Sequence, residues 1–99
     1  MKILALEHEL PGVTDAAFAP HLKAEALQAW QLYQADILRE LYFRRDREEA
    51  VLVLECRDLA EAEAALKTLP LVQQGLIAFE LIPLTPYPGF ARLFDPIDG

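Results

Sequence analysis

Residues 37–56 read ILRELYFRRDREEAVLVLEC. Two runs rich in aliphatic and aromatic residues, 37–45 and 50–56, are parted by the charged break Asp46 to Glu49. Strand composition on both sides of so short a break predicts an antiparallel hairpin in the middle of the chain. Its surroundings then decide the fold. Upstream, Thr14 and Asp15 are capping residues, and Phe18, Leu22, Ala26, Ala29, Tyr33 and Ile37 recur at helical spacing, so a helix runs to about Asp36. Before it, residues 3–10 form a short apolar-led run closed by Pro11-Gly12, a strand and its turn. Downstream, Asp58 caps a second helical stripe of Leu59, Ala62, Leu66 and Leu69, stopped at Pro70. Residues 77–84 make a last apolar strand. The order βαββαβ predicts an α+β, ferredoxin-like domain over residues 1–99, a four-stranded antiparallel sheet with both helices on one face.

The other sheet face has no cover within the chain. Strand residues alternate between faces, yet Leu4 and Leu6 on one side are matched by Ile3 and Ala5 on the other, and Leu52 and Leu54 by Val51 and Val53. The economical cover is the same face of a second copy, a homodimer or larger homo-oligomer in which two sheets form a dimeric α+β barrel. Residues 85–99, which carry Pro86, Pro88, Tyr87, Phe90 and Phe94, read as an extended C-terminal arm, neither helix nor central strand, lying over an apolar surface that is preferably the partner's.

A content of 54% apolar and 25% charged residues in 99 suits one small globular domain. The net charge of −7 argues against nucleic acid or an anionic membrane as partner, because both are bound by neutralising phosphate with Lys and Arg. One cysteine, Cys56, rules out an internal disulfide, and with no leader-like or membrane-length apolar run the chain is expected in the cytoplasm.

Chemistry-bearing residues are few. In Pro20-His21-Leu22-Lys23-Ala24-Glu25, a helical period places Glu25 about 60° from Leu22, at the margin of the apolar stripe, with His21 about 40° farther round. A histidine and a carboxylate so placed can share a proton and serve as general base and relay; otherwise they are a solvated first turn. Glu7 and Glu55 each share a strand face with apolar neighbours, so each needs a partner if buried. Arg39 and Arg44 of the next strand could pair with them across the sheet, or Arg39 could stay free to grip a substrate carboxylate while Tyr42 or Tyr33 donates to a developing enolate. His8, alternating with Leu4 and Leu6, is a possible pocket base or a satisfied core residue. The two histidines lack metal-ligand spacing, so no metal site is expected; serine is absent altogether, which leaves no serine nucleophile, and no glycine-rich phosphate loop occurs.

His21-Leu22-Lys23-Ala24-Glu25 on the first helix and Thr68-Leu69-Pro70-Leu71 at the end of the second resemble the muconolactone isomerase family of dimeric α+β barrels. After Leu-Pro-Leu this chain continues Val72-Gln73-Gln74-Gly75-Leu76 where those isomerases carry aromatics. The resemblance implies a cofactor-independent enzyme that moves a proton in a small lactone or aromatic-degradation metabolite, with Glu25 and His21 catalytic. Arg39, Tyr42, Tyr33, Glu7, His8 and Glu55 would then bind substrate. The same fold also serves ligand-binding modules and cofactor-free monooxygenases.

Overall fold

The computed structural model describes residues 1–96. The central hairpin consists of β2 (Leu38–Phe43) and β3 (Ala50–Glu55), paired antiparallel around the charged break. β1 (Lys2–Glu9) lies between β3 and β4 (Ile77–Leu84), giving the sheet order β2-β3-β1-β4, antiparallel throughout. β4 is an edge strand, which is why it tolerates Pro83, a residue without a backbone N–H.

One sheet face is packed. Ile3, Ala5, Leu52 and Leu54 meet Leu32, Ala62, Ala65, Leu66 and Leu69 in a single core in which Ile3, Leu38 and Leu54 are the largest fully buried side chains. Leu32 belongs to α2 (Leu22–Gln34), and Ala62, Ala65 and Leu66 to α3 (Leu59–Leu66). Asp58 is the cap foreseen for α3, its Oδ1 accepting from the Glu61 amide at 2.8 Å. Asp58→Ala is expected to lower unfolding free energy by about 1 kcal/mol, read by chemical denaturation.

The first helical region differs from its expected single stripe. α1 (Asp15–Phe18) is followed by a three-ten turn over Ala19–His21, and only then by α2, with His21 at its N-cap position and no side-chain cap. Pro20, which cannot donate to a helix already under way, starts the break. Thr14 makes no cap hydrogen bond either. Within α2 the buried residue is Leu32 rather than Tyr33, which is 52% exposed and stacks on Trp30 at 5.5 Å. α2 closes with Asp36 at φ 64°, a left-handed position that a short acidic side chain tolerates. The second helical region also continues past Pro70, as the short α4 (Pro70–Gln73), where Pro begins rather than ends a turn.

The opposite sheet face is open. Leu4, Leu6, Val51, Val53 and Ile82 stay half-buried there, with nothing above them among the described residues. The arm is not wholly extended, since Gly89–Phe94 forms a three-ten helix after Pro88, free of internal prolines. Tyr87 packs edge-on against Phe90 at 5.1 Å, its ring lying where a Cβ on Gly89 would stand, 2.1 Å from Tyr87 Cζ. As far as it is described, to residue 96, the arm does not fold back on its own domain: Phe90 is 69% and Phe94 85% exposed, and its last three residues, 97–99, lie outside the described residues. The radius of gyration is 17.1 Å, against about 13 Å for a compact chain of this length.

Candidate active site

α2 stands off the sheet at its N-terminal end, and the gap is a cavity of about 540 Å³. Leu22, Glu25, Ala26 and Ala29 of α2 form one wall, Glu7, Ala50 and Leu52 of the sheet the other, and Phe18, Phe43 and Phe79 contribute rings. That opening explains why Leu22 is 53% exposed although it sits on the apolar stripe.

Two carboxyl groups from different elements face this space. Glu7 follows Ile3 and Ala5 on the packed face of β1 and is 9% exposed. Burial pushes its pKa from 4.5 up to about 7; the Ala50 backbone N–H opposes the shift, and the nearby charges of Glu49, Glu25 and Glu9 add to it. Glu25 is half-buried, and its Oε1 accepts from the Leu71 backbone N–H at 2.9 Å, at the start of α4. Burial raises its pKa as well, with the Leu71 amide partly offsetting the effect. Glu9, Asp15 and Glu48 also line the cavity, from exposed positions.

Behind the site, Glu49 is 9% exposed and its Oε2 accepts from the Glu9 backbone amide at 3.0 Å, tying the end of β1 to the start of β3. Its Oε1 lies 3.0 Å from Arg47 Nε but in an orientation that makes no hydrogen bond. In sequence Glu49 is one more charge in a turn; only the register of β1 on β3 brings it beside Glu7, and composition carries no signal of that.

The remaining candidate residues are dispersed. His21 does not line the cavity, so the pair read from one helical turn is divided, with Glu25 turned inward. Glu55 is on the open face, where the Met1 amino group lies 2.6 Å from its Oε2 and holds its carboxyl below the usual range. His8 is also on that face, with Nε2 3.8 Å from Glu80 Oε1. Tyr42 donates to Glu40 Oε1 at 2.7 Å on the exposed edge strand. The expected arginine–glutamate pairs across the sheet do not form. β2 ends at Phe43, so Arg44 falls in the turn and binds both oxygens of Asp46, at 2.9 and 2.6 Å. A register shift between Leu38 and Glu40 displaces Arg39, whose Nε donates to the Asp36 carbonyl at 2.7 Å. Arg39 and Tyr33 do share a second, more open groove with Trp30, separated from the first cavity by a common wall that includes Ala29 and Leu38.

Among the described residues, no Arg, Lys, His or Tyr lines the acidic cavity. No grouping of three His, Cys, Asp or Glu suited to a metal ion occurs among them, and no helix is long and apolar enough to cross a membrane. Cys56 is buried and unpaired, its thiol pKa pushed up by burial.

No family model matches the chain, and no curated protein does. Solved structures do. The 5-chloro-2-hydroxyhydroquinone dehydrochlorinase of Burkholderia phenoliruptrix, determined in complex with 2,5-dihydroxybenzoquinone, superposes with a TM-score of 0.72 at 14% identity, covering 90% of this chain and 98% of that one. Muconolactone isomerase superposes with a TM-score of 0.69 at 22% identity, covering 89% and 92%. A four-stranded antiparallel sheet with its helices packed on one face, matched over nearly the whole length of both proteins, gives this chain the muconolactone isomerase-like fold.

Proposed function

We propose that the chain is a cofactor-independent enzyme that transfers a proton within a small ring metabolite held between α2 and the sheet. The observation that carries this reading is the meeting of Glu7 and Glu25 in one largely apolar cavity, both with raised pKa values. Two carboxyl groups held apart in proton affinity can divide acid and base work between them. Glu25, whose ionised form is favoured by the Leu71 N–H, takes a proton from carbon beside a carbonyl. Glu7, which holds its proton up to about pH 7, donates a hydrogen bond to the oxygen on which charge gathers. Glu25 then returns the proton to a different carbon, so the double bond moves with no change in oxidation state.

The fold neighbours, a dehydrochlorinase of a hydroxyhydroquinone and an isomerase of a lactone, support a small metabolite of the aromatic-degradation type. A ligand-binding role without turnover competes, favoured by the lack of an arginine or tyrosine in the cavity among the described residues. Proton exchange separates the two. Small lactones and hydroquinones incubated with the protein in D₂O should lose carbon-bound hydrogen signals in proton NMR, and Glu25→Gln should slow that loss by about a hundredfold or more. Exchange no faster than in protein-free buffer for every compound would leave only the binding role.

The assembly belongs to the same reading. A second copy covers the open face of Leu4, Leu6, Val51, Val53 and Ile82, and the projecting arm docks on that copy. The single buried, unpaired thiol of Cys56 suits a reducing compartment such as the cytoplasm.

A further inference from the structure

The cavity with Glu7 and Glu25 has an uneven charge distribution. Deep inside, Phe79, Leu52, Leu69 and Leu71 offer a ring-sized apolar bed beside Glu7, whose side chain is nine-tenths buried and borders the empty space. At the exposed margin stand Glu9, Asp15 and Glu48, all acids. Among the described residues no cation lines the cavity to offset the five carboxyl groups; Arg47 sits behind it against Glu49, and Arg39 lines the separate groove beyond Ala29 and Leu38.

A carboxylate entering this space would be repelled at the margin and would lose its water inside without gaining a cationic partner. A hydroxyl group meets the opposite situation: it donates to carboxylate oxygens, and its ring fills the apolar bed. We propose, resting on the reading of this cavity as the active site, that it admits uncharged ring compounds bearing hydroxyl donors and turns away carboxylates. In this proposal Glu9, Asp15 and Glu48 are the residues that set the discrimination. An ammonium group is drawn to the marginal acids but gains no full counter-ion beside the apolar bed, because Glu7, with a pKa of about 7, is only partly ionised at neutral pH.

Calorimetric titration of the full chain with hydroquinone, 4-hydroxybenzoate and 4-hydroxybenzylamine at neutral pH tests this. Hydroquinone should bind at least about tenfold more tightly than 4-hydroxybenzoate, a gap of about 1.4 kcal/mol. Raising the salt should narrow that gap, because the marginal charges are solvent-exposed. The Glu9→Gln, Asp15→Asn, Glu48→Gln triple variant, altered only at exposed positions, should narrow it too, through tighter binding of 4-hydroxybenzoate. Equal or tighter binding of 4-hydroxybenzoate overturns the proposal, and its loss in Arg39→Ala would then assign the anion to the second groove. Tightest binding by the benzylamine, or no binding by hydroquinone, overturns it as well. Proton exchange keeps the two readings apart. Hydroquinone preference without exchange on any compound defeats the enzymatic reading alone, whereas exchange on a carboxylate bound as well as hydroquinone defeats the charge discrimination alone.

Discussion

Glu7→Gln is expected to slow proton exchange by about a hundredfold and, above neutral pH, to make the fold more stable. The two effects have one cause. Glu7 lies on the packed face of β1 beside Ile3 and Ala5, where burial and the nearby charges of Glu49, Glu25 and Glu9 all oppose its ionisation. Its folded pKa of about 7 stands above the ordinary 4.5. Below pH 4.5 the group is neutral in both states, so its ionisation leaves stability untouched. Between 4.5 and about 7 the unfolded chain gives up the proton that the folded chain keeps, so stability falls as pH rises, and above about 7 the whole loss is felt. A shift of that size corresponds to about 3 kcal/mol before screening, and water in the cavity brings the expected loss nearer 1–2 kcal/mol. Gln keeps the shape and removes the charge. Urea denaturation of both proteins across this range should give curves that agree at low pH and diverge above it, the Gln variant being the more stable. A variant no more stable at high pH would mean that Glu7 is ionised at little expense, and with that the division of acid and base roles is lost.

The second large effect concerns assembly. Leu4 and Val53 are cross-strand partners at the middle of the open sheet face. Lysine at both positions would set two charges where a second sheet is to pack, and burying them unpaired is costly enough to dissociate the pair of sheets. Removal of residues 86–99 takes away Tyr87, Phe90, Leu93 and Phe94, which are exposed on a single copy and therefore available to a partner. If aromatics of this kind are anchors, their loss weakens assembly by about 2 kcal/mol or more, about a thirtyfold rise in the dissociation constant. Sedimentation should find the natural chain as a dimer or larger and Leu4→Lys/Val53→Lys as the 11.2 kDa monomer, with the shortened chain shifted toward it. A natural chain that is monomeric throughout would leave the open face and the arm unexplained. Circular dichroism of the lysine variant separates dissociation from unfolding, because neither residue is part of the core beneath α2 and α3.

How the sequence exposes some of this and conceals the rest is seen in single residues. The hairpin is legible because Asp46 to Glu49 interrupts two runs that are otherwise strand-like, and Pro11-Gly12 and Asp58 mark neighbouring boundaries in the same local way. Glu7 is conspicuous because period-two alternation sets it on the face of Ile3 and Ala5. Its companion is not. Glu25 lies on another element, and whether the two meet depends on how far α2 stands from the sheet, a distance fixed by tertiary packing. Arg39 is misplaced by reading β2 as regular, since one irregular residue near Leu38 reverses which side a chain segment faces. Tyr33 is a one-residue error of helical phase: either Leu32 or Tyr33 extends the stripe from Ala29, and the larger apolar area of Tyr33 draws the wrong choice. His21 illustrates a different limit, because spacing along an ideal helix has no force at the three-ten turn that Pro20 introduces.

Carbon-13 titration of the glutamate carboxyl groups tests most directly whether Glu7 and Glu25 form an acid–base pair inside one cavity. With assignments made from Glu7→Gln and Glu25→Gln, the Glu7 resonance should titrate near pH 7 and Glu25 above 4.5, and hydroquinone should move both resonances at once. Titration of both groups at or below 4.5, unmoved by ligand, would contradict the pairing and with it the proposed proton transfer.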